Sequence, residues 1–272
     1  MESISNSGRI LDFCLLIPCY NNYTGLLSSL RSVRYGEGLF HVVVVDDGSE
    51  EELSIGELHK ELGAKYPLTL LRNPENEGIV ASLNRGLYYI INNIPARYIA
   101  RLDCGDICSS DRFELQCRHL SENPEIGLMG SWCIFKDYKT GLSYEYKTPV
   151  LHRHILKELP FRSVFIHPTV MFRVDILEKT GLYPVDYPHA EDYALFWKMA
   201  LVSQTFVINR FLLTCEINRK GISIKNRYAQ LASRKKIIHT FARGLSRIAG
   251  IIKINLLMVI PHKWILLLKS QI

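Results

Sequence analysis

Short apolar runs alternate with stretches of helical spacing through the first half of the chain. Residues 13–18 (FCLLIP) and 41–45 (HVVVV) are apolar throughout but for the leading His41, continuous rather than alternating, the pattern of strands covered on both faces of a parallel sheet. Residues 68–71 and 98–102 are third and fourth strand candidates. Between the first two strands, Leu26, Leu27, Leu30 and Val33 recur near helical spacing. Between the last two, residues 79–91 set Val80, Leu83, Leu87 and Ile90 on one helix face. Strands alternating with helices predict βαβ units, right-handed crossovers and a mostly parallel sheet. Beyond about residue 125 the pattern loosens into mixed segments at 127–135 and 169–172, followed by a helix over 191–200. The last 40 or so residues read as a helical, basic and apolar appendage.

Composition narrows this picture. A chain of 272 residues with 47% hydrophobic and 22% charged residues is an ordinary globular α/β protein, and disordered, collagen-like and coiled-coil chains are excluded. The net charge of +6 hides a division. Residues 1–216 hold all 27 acids against 21 Lys and Arg, a net −6, whereas residues 217–272 hold 12 Lys and Arg and no acid. An acidic body with a basic apolar tail points to an anionic surface as the tail's partner. The seven cysteines are odd in number and form no CxxC pair, so neither a disulfide framework nor a zinc site is expected. The N-terminus, MESISNSGRI, lacks a basic segment and an apolar core, and no secretion signal is expected from it. The apolar stretch 248–260, interrupted by Lys253 and Asn255, is too short and polar to span a bilayer.

The polar chemistry gathers at strand ends, where open α/β sheets bind ligands. The first strand runs into Pro18-Cys19-Tyr20-Asn21, the second into Asp46-Asp47-Gly48-Ser49. The third is followed by residues 73–78 (NPENEG) and the fourth by Asp103-Cys104-Gly105-Asp106. Each alone is also ordinary turn and cap chemistry. Their joint order is what points to one crevice.

In that order the chain resembles the inverting glycosyltransferases of family 2, which have the GT-A fold. The residues that carry the resemblance are IPCYNN (17–22), VVVVDDGSEEE (42–52), NPENEGIVASLNRGL (73–87), YIARLDCGDICSSDRFELQ (98–116), HPTVMFR (167–173) and AEDYALFWKMA (190–200). The resemblance implies a GT-A domain over 1–220, with a nucleotide-sugar half at about 10–125 and an acceptor half at about 126–220, followed by the tail at 221–272. It implies a nucleotide-sugar donor, commonly UDP-linked. Pro18 and Tyr20 would line the base pocket, with the Tyr20 ring packing on uracil, Asn21 would join the nucleotide-sugar-binding residues, and Asp47 would accept from base or ribose. Asn76, Gly78 and Asn84 fall in the segment over the nucleotide, although Asn84 could equally brace its helix and Asp46 cap its turn.

Asp103 and Asp106 answer to the family's acidic motif, which holds Mn²⁺ or Mg²⁺ against the diphosphate. Gly105 departs from that motif, so one acid could bind the ribose of the nucleotide sugar and the other the metal, and either could instead cap the helix near Ser110–Asp111. Glu191 and Asp192 match the ED pair, with Asp192 as the base that deprotonates the acceptor and Glu191 as its support. Acids in a first helical turn would also offset the macrodipole. His167 falls on the acceptor side. No QxxRW-like sequence follows, which disfavours a processive synthase. The expected activity is sugar transfer to a lipid-linked saccharide in surface polysaccharide (O-antigen or capsule) assembly, at the inner face of the cytoplasmic membrane. The alternatives are a catalytically silent nucleotide-sugar-binding protein and a sugar nucleotidyltransferase. The latter is disfavoured because PCYNNYTG lacks a basic residue. No nucleic-acid module accompanies the basic tail. The tail interleaves Arg234, Lys235, Lys236, Arg243, Arg247 and Lys253 with Ile237, Ile238, Ile248, Ile252, Leu256 and a Trp264-to-Leu268 run, as an interfacial helix does.

Overall fold

The computed structural model describes residues 9–36, 38–63, 65–217 and 226–260. β1 (Leu11–Cys19), β2 (Phe40–Asp46), β3 (Leu68–Arg72) and β4 (Ala96–Arg101) form the first half of one sheet in the order β3-β2-β1-β4. All are parallel, with Leu15 paired to Val42 and to Ala100. The unbroken apolar runs have a direct cause. Phe13, Leu15 and Ile17 of β1 enter a core on one face of the sheet with Leu26, Leu30 and Phe113, while Cys14 and Leu16 enter a second core on the other face with Leu83, Leu87 and Ile90. With both faces buried, neither set of alternate positions is polar.

The helices behave as their spacing predicts. α1 (Tyr23–Ser32) is capped by Asn22, whose Oδ1 accepts from the Gly25 amide at 3.1 Å. α2 (Ile55–Leu62) follows β2. α3 (Ile79–Asn93) lies so close on β1 that a Cβ at Gly86 would meet Leu16 Cδ1 at 2.2 Å.

The second half is mixed. β6 (Ile126–Lys136) and β9 (Gln204–Glu216) run parallel, and the short β8 (Met171–Arg173) pairs antiparallel with both β4 and β6, welding the halves into one sheet. β5 (Ile107–Cys108) and β7 (Ser143–Tyr146) are edge additions to β9 and β6. The loosened pattern at 127–135 hides the long β6, because register shifts at Ile126/Leu128 and Ser131/Trp132 break the two-residue period. α4 (Arg112–Glu122), α5 (His152–Glu158), α6 (Ile176–Thr180) and α7 (Glu191–Val202) complete this half.

The C-terminal segment forms α8 (Arg227–Phe241) and α9 (Gly244–Val259). Leu231, Ile237, Ile238, Ala242 and Ile254 are buried in the same core as Phe196 and Trp197 of α7. Gly250 lets α9 close on the turn after α5, since a Cβ there would lie 2.4 Å from the Pro160 carbonyl. Three α8 side chains donate to the backbone of the loop before α7: Gln230 to His189 (3.0 Å), Ser233 to Pro188 (2.8 Å) and Lys236 to Asp186 (3.3 Å). Ile237 and Ile238, read from the sequence as part of a membrane-facing side, thus face inward. The Trp264-to-Leu268 run lies outside the described residues. Among the described residues, no helix is long and apolar enough to cross a membrane.

Candidate active site

At the carboxyl end of β4 the chain turns through Asp103 and Asp106, and the two acids part company. Arg101, fully buried, sends Nη2 to Asp103 Oδ1 at 2.7 Å, Nε to His167 Nε2 at 3.3 Å, and Nη1 to the Leu16 carbonyl. Arg112 in turn holds the Arg101 carbonyl at 2.7 Å. Asp103 stays 40% exposed while gripped by an arginine with no access to water, so its direction is set from below. Asp106 points elsewhere: it is buried, and its Oδ1 accepts from the Glu216 amide of β9 at 2.9 Å. Burial and the negative charge of Asp103 push its carboxyl well above the usual range. Gly105 between them sits at φ +102°, and a Cβ there would meet Glu216 Oε2 at 2.4 Å. The positive φ favours glycine in this turn, and an acid at that position would be strained and would have to displace the Glu216 carboxylate.

A cavity of about 340 Å³ joins Asp103 and Pro18 from the first half to His167, Glu191 and Asp192 from the second, with His189 and Gln230 closing it. The sequence-derived candidates therefore fall into groups. Pro18, Asp103, His167, Glu191 and Asp192 line one space. Tyr20, Asn21, Asp47, Asn76 and Gly78 stand at the ends of β1–β3 outside that lining, and Asp106 belongs to neither group. Tyr20 is 47% exposed, its ring free to receive a planar partner. Asn21, at φ +48°, is pinned to the loop after β2 by Asn21 N to Ser49 Oγ (2.9 Å) and Glu50 N to Asn21 Oδ1 (2.9 Å). Asp47 organises the next loop: Oδ1 accepts from Asn73 Nδ2 (2.8 Å) and Glu77 N (3.0 Å), and Oδ2 from Gly78 N (3.0 Å). Of the roughly four acceptor sites of a carboxylate, one is left for a ligand. Asn84 braces α3 against the second half, exchanging two hydrogen bonds with the Tyr183 backbone at 2.8 and 2.9 Å. Asp46 caps its turn at the Ser49 amide (3.0 Å) and pairs with Arg72.

Glu191 and Asp192 open α7. Asp192 Oδ1 accepts from the Tyr193 amide at 2.7 Å, and Glu191 Oε2 is buried without a hydrogen-bond partner. Burial, with the charge of Asp192 beside it, pushes the Glu191 carboxyl up to about 7. Burial, with Asp103 adding to it, pushes Asp192 up to about 6, against the pull of the Tyr193 amide. Two acids whose pKa values lie near neutrality in one cleft are poised to take or hold a proton. His167 is held neutral by burial and by Arg101. Because a guanidinium can only donate, His167 Nε2 is the accepting nitrogen, and the Tyr183 hydroxyl lies 2.8 Å from the same atom.

A divalent cation is implied by the fold family. Among the described residues, no three His, Cys, Asp or Glu side chains converge on one point. The residues fit a cation held by one carboxylate, Asp103 with one oxygen outside its ion pair, and completed by phosphate oxygens, as Mg²⁺ commonly is. They do not fit one chelated by Asp103 and Asp106 together.

Sequence reasoning missed Arg101, Tyr183, His189 and Gln230. The sequence signal for His189 was only its place two residues before the acids; its φ of +62°, rare outside glycine, is a property of the fold. Arg101 sits in the apolar stretch YIARL, where a charge fully buried demands dedicated partners.

Residues 14–181 match the family model described as Glycosyl transferase family 2. An uncharacterized glycosyltransferase of Haemophilus influenzae is 30% identical over 167 residues, 57% of this chain and 49% of its own. The amylovoran biosynthesis glycosyltransferase AmsE of Erwinia amylovora is 29% identical over 192 residues, 69% of each chain. The UDP-Gal:alpha-D-GlcNAc-diphosphoundecaprenol beta-1,3-galactosyltransferase of Escherichia coli is 30% identical over 155 residues, 54% of each. The chain thus spans about half the length of the first and last of these relatives. Among solved structures, S. aureus TarS 1–349 in complex with UDP-GlcNAc superposes with a TM-score of 0.65 at 17% identity, over 88% of this chain and 70% of its own. Mannosyltransferase PcManGT from Pyrobaculum calidifontis, in complex with GDP-Man and Mn²⁺, gives 0.64 at 15% identity, over 91% and 70%. These likenesses establish the GT-A fold.

Proposed function

The chain belongs to glycosyl transferase family 2, and on that premise we propose that it transfers a sugar, with inversion and non-processively, from a nucleotide sugar to a lipid-linked saccharide. The observation that carries this reading is the single cavity that sets Asp103, at the end of β4, opposite Asp192, at the start of α7. The nucleotide lies along the ends of β1–β3, its base on the Tyr20 ring, with Asn21, Asp47, Asn76 and Gly78 shaping the walls. Its diphosphate reaches Asp103. A divalent cation held there would neutralise the diphosphate charge as the leaving group departs.

The acceptor hydroxyl enters from the α7 side. As its oxygen bonds to the anomeric carbon, its proton passes to the Asp192 carboxylate, and the bond from that carbon to the donor phosphate breaks, its electron pair leaving with the nucleoside diphosphate. Glu191 supports the base beside it, while burial and the charge of Asp103 hold the Asp192 pKa up, and neutral His167 and the Arg101 guanidinium fix the floor. UDP is the nucleotide we favour, supported by the TarS complex with UDP-GlcNAc. A lipid-diphosphate acceptor is supported by the name of the E. coli relative.

The same reading puts the enzyme on the inner face of the cytoplasmic membrane through residues 221–272. α9 supports it: Leu245, Ile248, Ile252, Leu256 and Val259 recur three or four apart and are all exposed, Leu245 at 84% and Val259 at 82%. No acid occurs anywhere in this segment. A helix with that face and such charge binds an anionic bilayer surface. Two measurements test the whole. A panel of nucleotide sugars is assayed for transfer and hydrolysis with and without Mn²⁺; no activity with any donor refutes the transferase, and full activity in EDTA refutes the cation. Co-sedimentation with anionic liposomes at low salt, for the full chain and for Leu245→Glu/Ile252→Glu, tests the membrane face; equal recovery of both refutes it.

A further inference from the structure

Beyond Asp192 the cleft opens into a second cavity of about 650 Å³, which shares His167, His189, Asp192 and Gln230 with the first. Its far wall comes from the turn after α5 and from α8 and α9, and none of β1–β4 contributes to it. Four cations line it: Arg162, Arg227, Arg234 and Lys253. Arg162 is paired with Glu158 at 2.8 Å. Among the described residues, no carboxylate lies within ion-pair distance of the other three.

These three cations are held in place largely by neutral groups: Arg227 donates to the Leu257 and Ile260 carbonyls at the end of α9, and Arg234 also acts across the cavity on the Asp192 carboxylate, opposing its rise in pKa. Arg234 Nη2 donates to the Phe161 carbonyl at 3.3 Å, and its guanidinium stands 5.9 Å from the Tyr193 ring centre. Arg234 Nε is buried with no hydrogen-bond partner. Lys253 lies 5.9 Å from the Phe161 ring centre. Burial and the nearby Arg234 lower the Lys253 pKa, with Arg162 adding to the effect and Glu158 opposing it. Like charges gathered around one cavity, with a buried donor unsatisfied, raise the free energy of the empty site. A multivalent anion that accepts from them relieves both costs.

We propose that this second cavity binds a phosphate or diphosphate group of the acceptor, the anionic link between its sugar and its lipid. The proposal rests on the reading of Asp192 as the acceptor's base, since Asp192 stands where the two cavities meet. A sugar hydroxyl at Asp192 then leaves the anion of the same molecule among Arg234, Lys253 and Arg227. The donor diphosphate lies on the opposite side, at Asp103. The tail helices gain a role in substrate selection: they carry three of the four cations, and α9 brings Lys253 to the wall while turning Leu245 and Val259 outward.

The experiment is equilibrium binding of octyl diphosphate and of inorganic pyrophosphate to the full chain at saturating UDP, with octyl glucoside as the neutral control, all below micellar concentration. The parent is compared with Arg234→Gln and Lys253→Gln. Lys253 is more exposed than Arg234, so its substitution is the one less able to disturb folding, and thermal melting checks both. Octyl diphosphate is expected to bind with UDP present, and each substitution to weaken it about 10- to 100-fold, the share of a hydrogen bond to a charged group. Affinity for UDP should not change. Pyrophosphate should bind more weakly with the same sensitivity, which separates the anion's share from the alkyl chain's. Displacement by UDP, binding that ignores both substitutions, or equal affinity for the glucoside would each overturn the proposal. Failure of the parent to bind UDP, with the diphosphate response intact, would instead count against the donor site alone.

Discussion

Replacing Asp192 by Asn removes the proposed base while keeping the shape and the acceptor atom that meets the Tyr193 amide at 2.7 Å. A positioned general base contributes about 10²–10⁴-fold, so turnover should fall by that factor, about 2.7–5.4 kcal/mol of barrier at 1.36 kcal/mol per tenfold. The pH profile sharpens the test. With Asp192 pushed up to about 6, the base is about nine-tenths ionised at pH 7 and about one-tenth ionised at pH 5. For the parent, kcat/KM should therefore fall close to tenfold between those pH values. The Asn variant should lose that acidic limb along with its rate. The assay is release of nucleoside diphosphate together with chromatographic detection of the transferred sugar, at saturating acceptor. UDP affinity, measured separately, should match the parent, because Asp192 is placed on the acceptor side of the cleft. A variant that turns over at near the parent rate, or a slow one that keeps the acidic limb near pH 6, refutes Asp192 as the base.

Other consequences are independent of that one. Glu191, raised from 4.5 to about 7, binds its proton more tightly folded than unfolded, so its contribution favours the fold at low pH and is lost as pH rises from about 4.5 through about 7. Glu191→Gln should therefore flatten a decline of up to about 3 kcal/mol across that window, read from urea midpoints at pH 5 and pH 8. Asp47→Ala leaves the Asn73 side chain and the Glu77 and Gly78 amides without their acceptor, and should cost about 3 kcal/mol in chemical denaturation as well as weakening UDP binding. Asp103→Asn should weaken UDP and Mn²⁺ binding and also lower the melting temperature, because the fully buried Arg101 loses its carboxylate partner. Asp106→Asn should leave Mn²⁺ binding near the parent value, because Asp106 faces Glu216 of β9; an equal loss for both would restore the two acids as a chelating pair. Gly250→Val, which drives a side chain into the Pro160 carbonyl, should expose α9 to limited proteolysis.

The nucleotide half was legible because its physics is local. Strands buried on both faces must be apolar at every position, so β1 and β2 announce themselves as unbroken runs, and α3 shows its buried stripe of Leu83, Leu87 and Ile90 at helical spacing. The motif residues at the strand ends then fall at one edge of the sheet, because parallel strands all end on the same side. Those features, and the family to which the chain belongs, are properties of the sequence alone. The parting of Asp103 and Asp106 is not. It depends on a positive φ at Gly105 and on a backbone amide of β9 that lies 110 positions along the chain from Asp106. The grip of Arg101 on Asp103 likewise needs the Leu16 carbonyl and His167 around it. The basic tail was visible as a composition, but periodicity records which positions are buried and not what buries them. Only tertiary packing turned Ile237 and Ile238 inward onto α7 and set Arg234 and Lys253 around the cavity that Asp192 lines, because contacts between distant segments are fixed by the closing of the whole sheet and its helices rather than by any pattern within them.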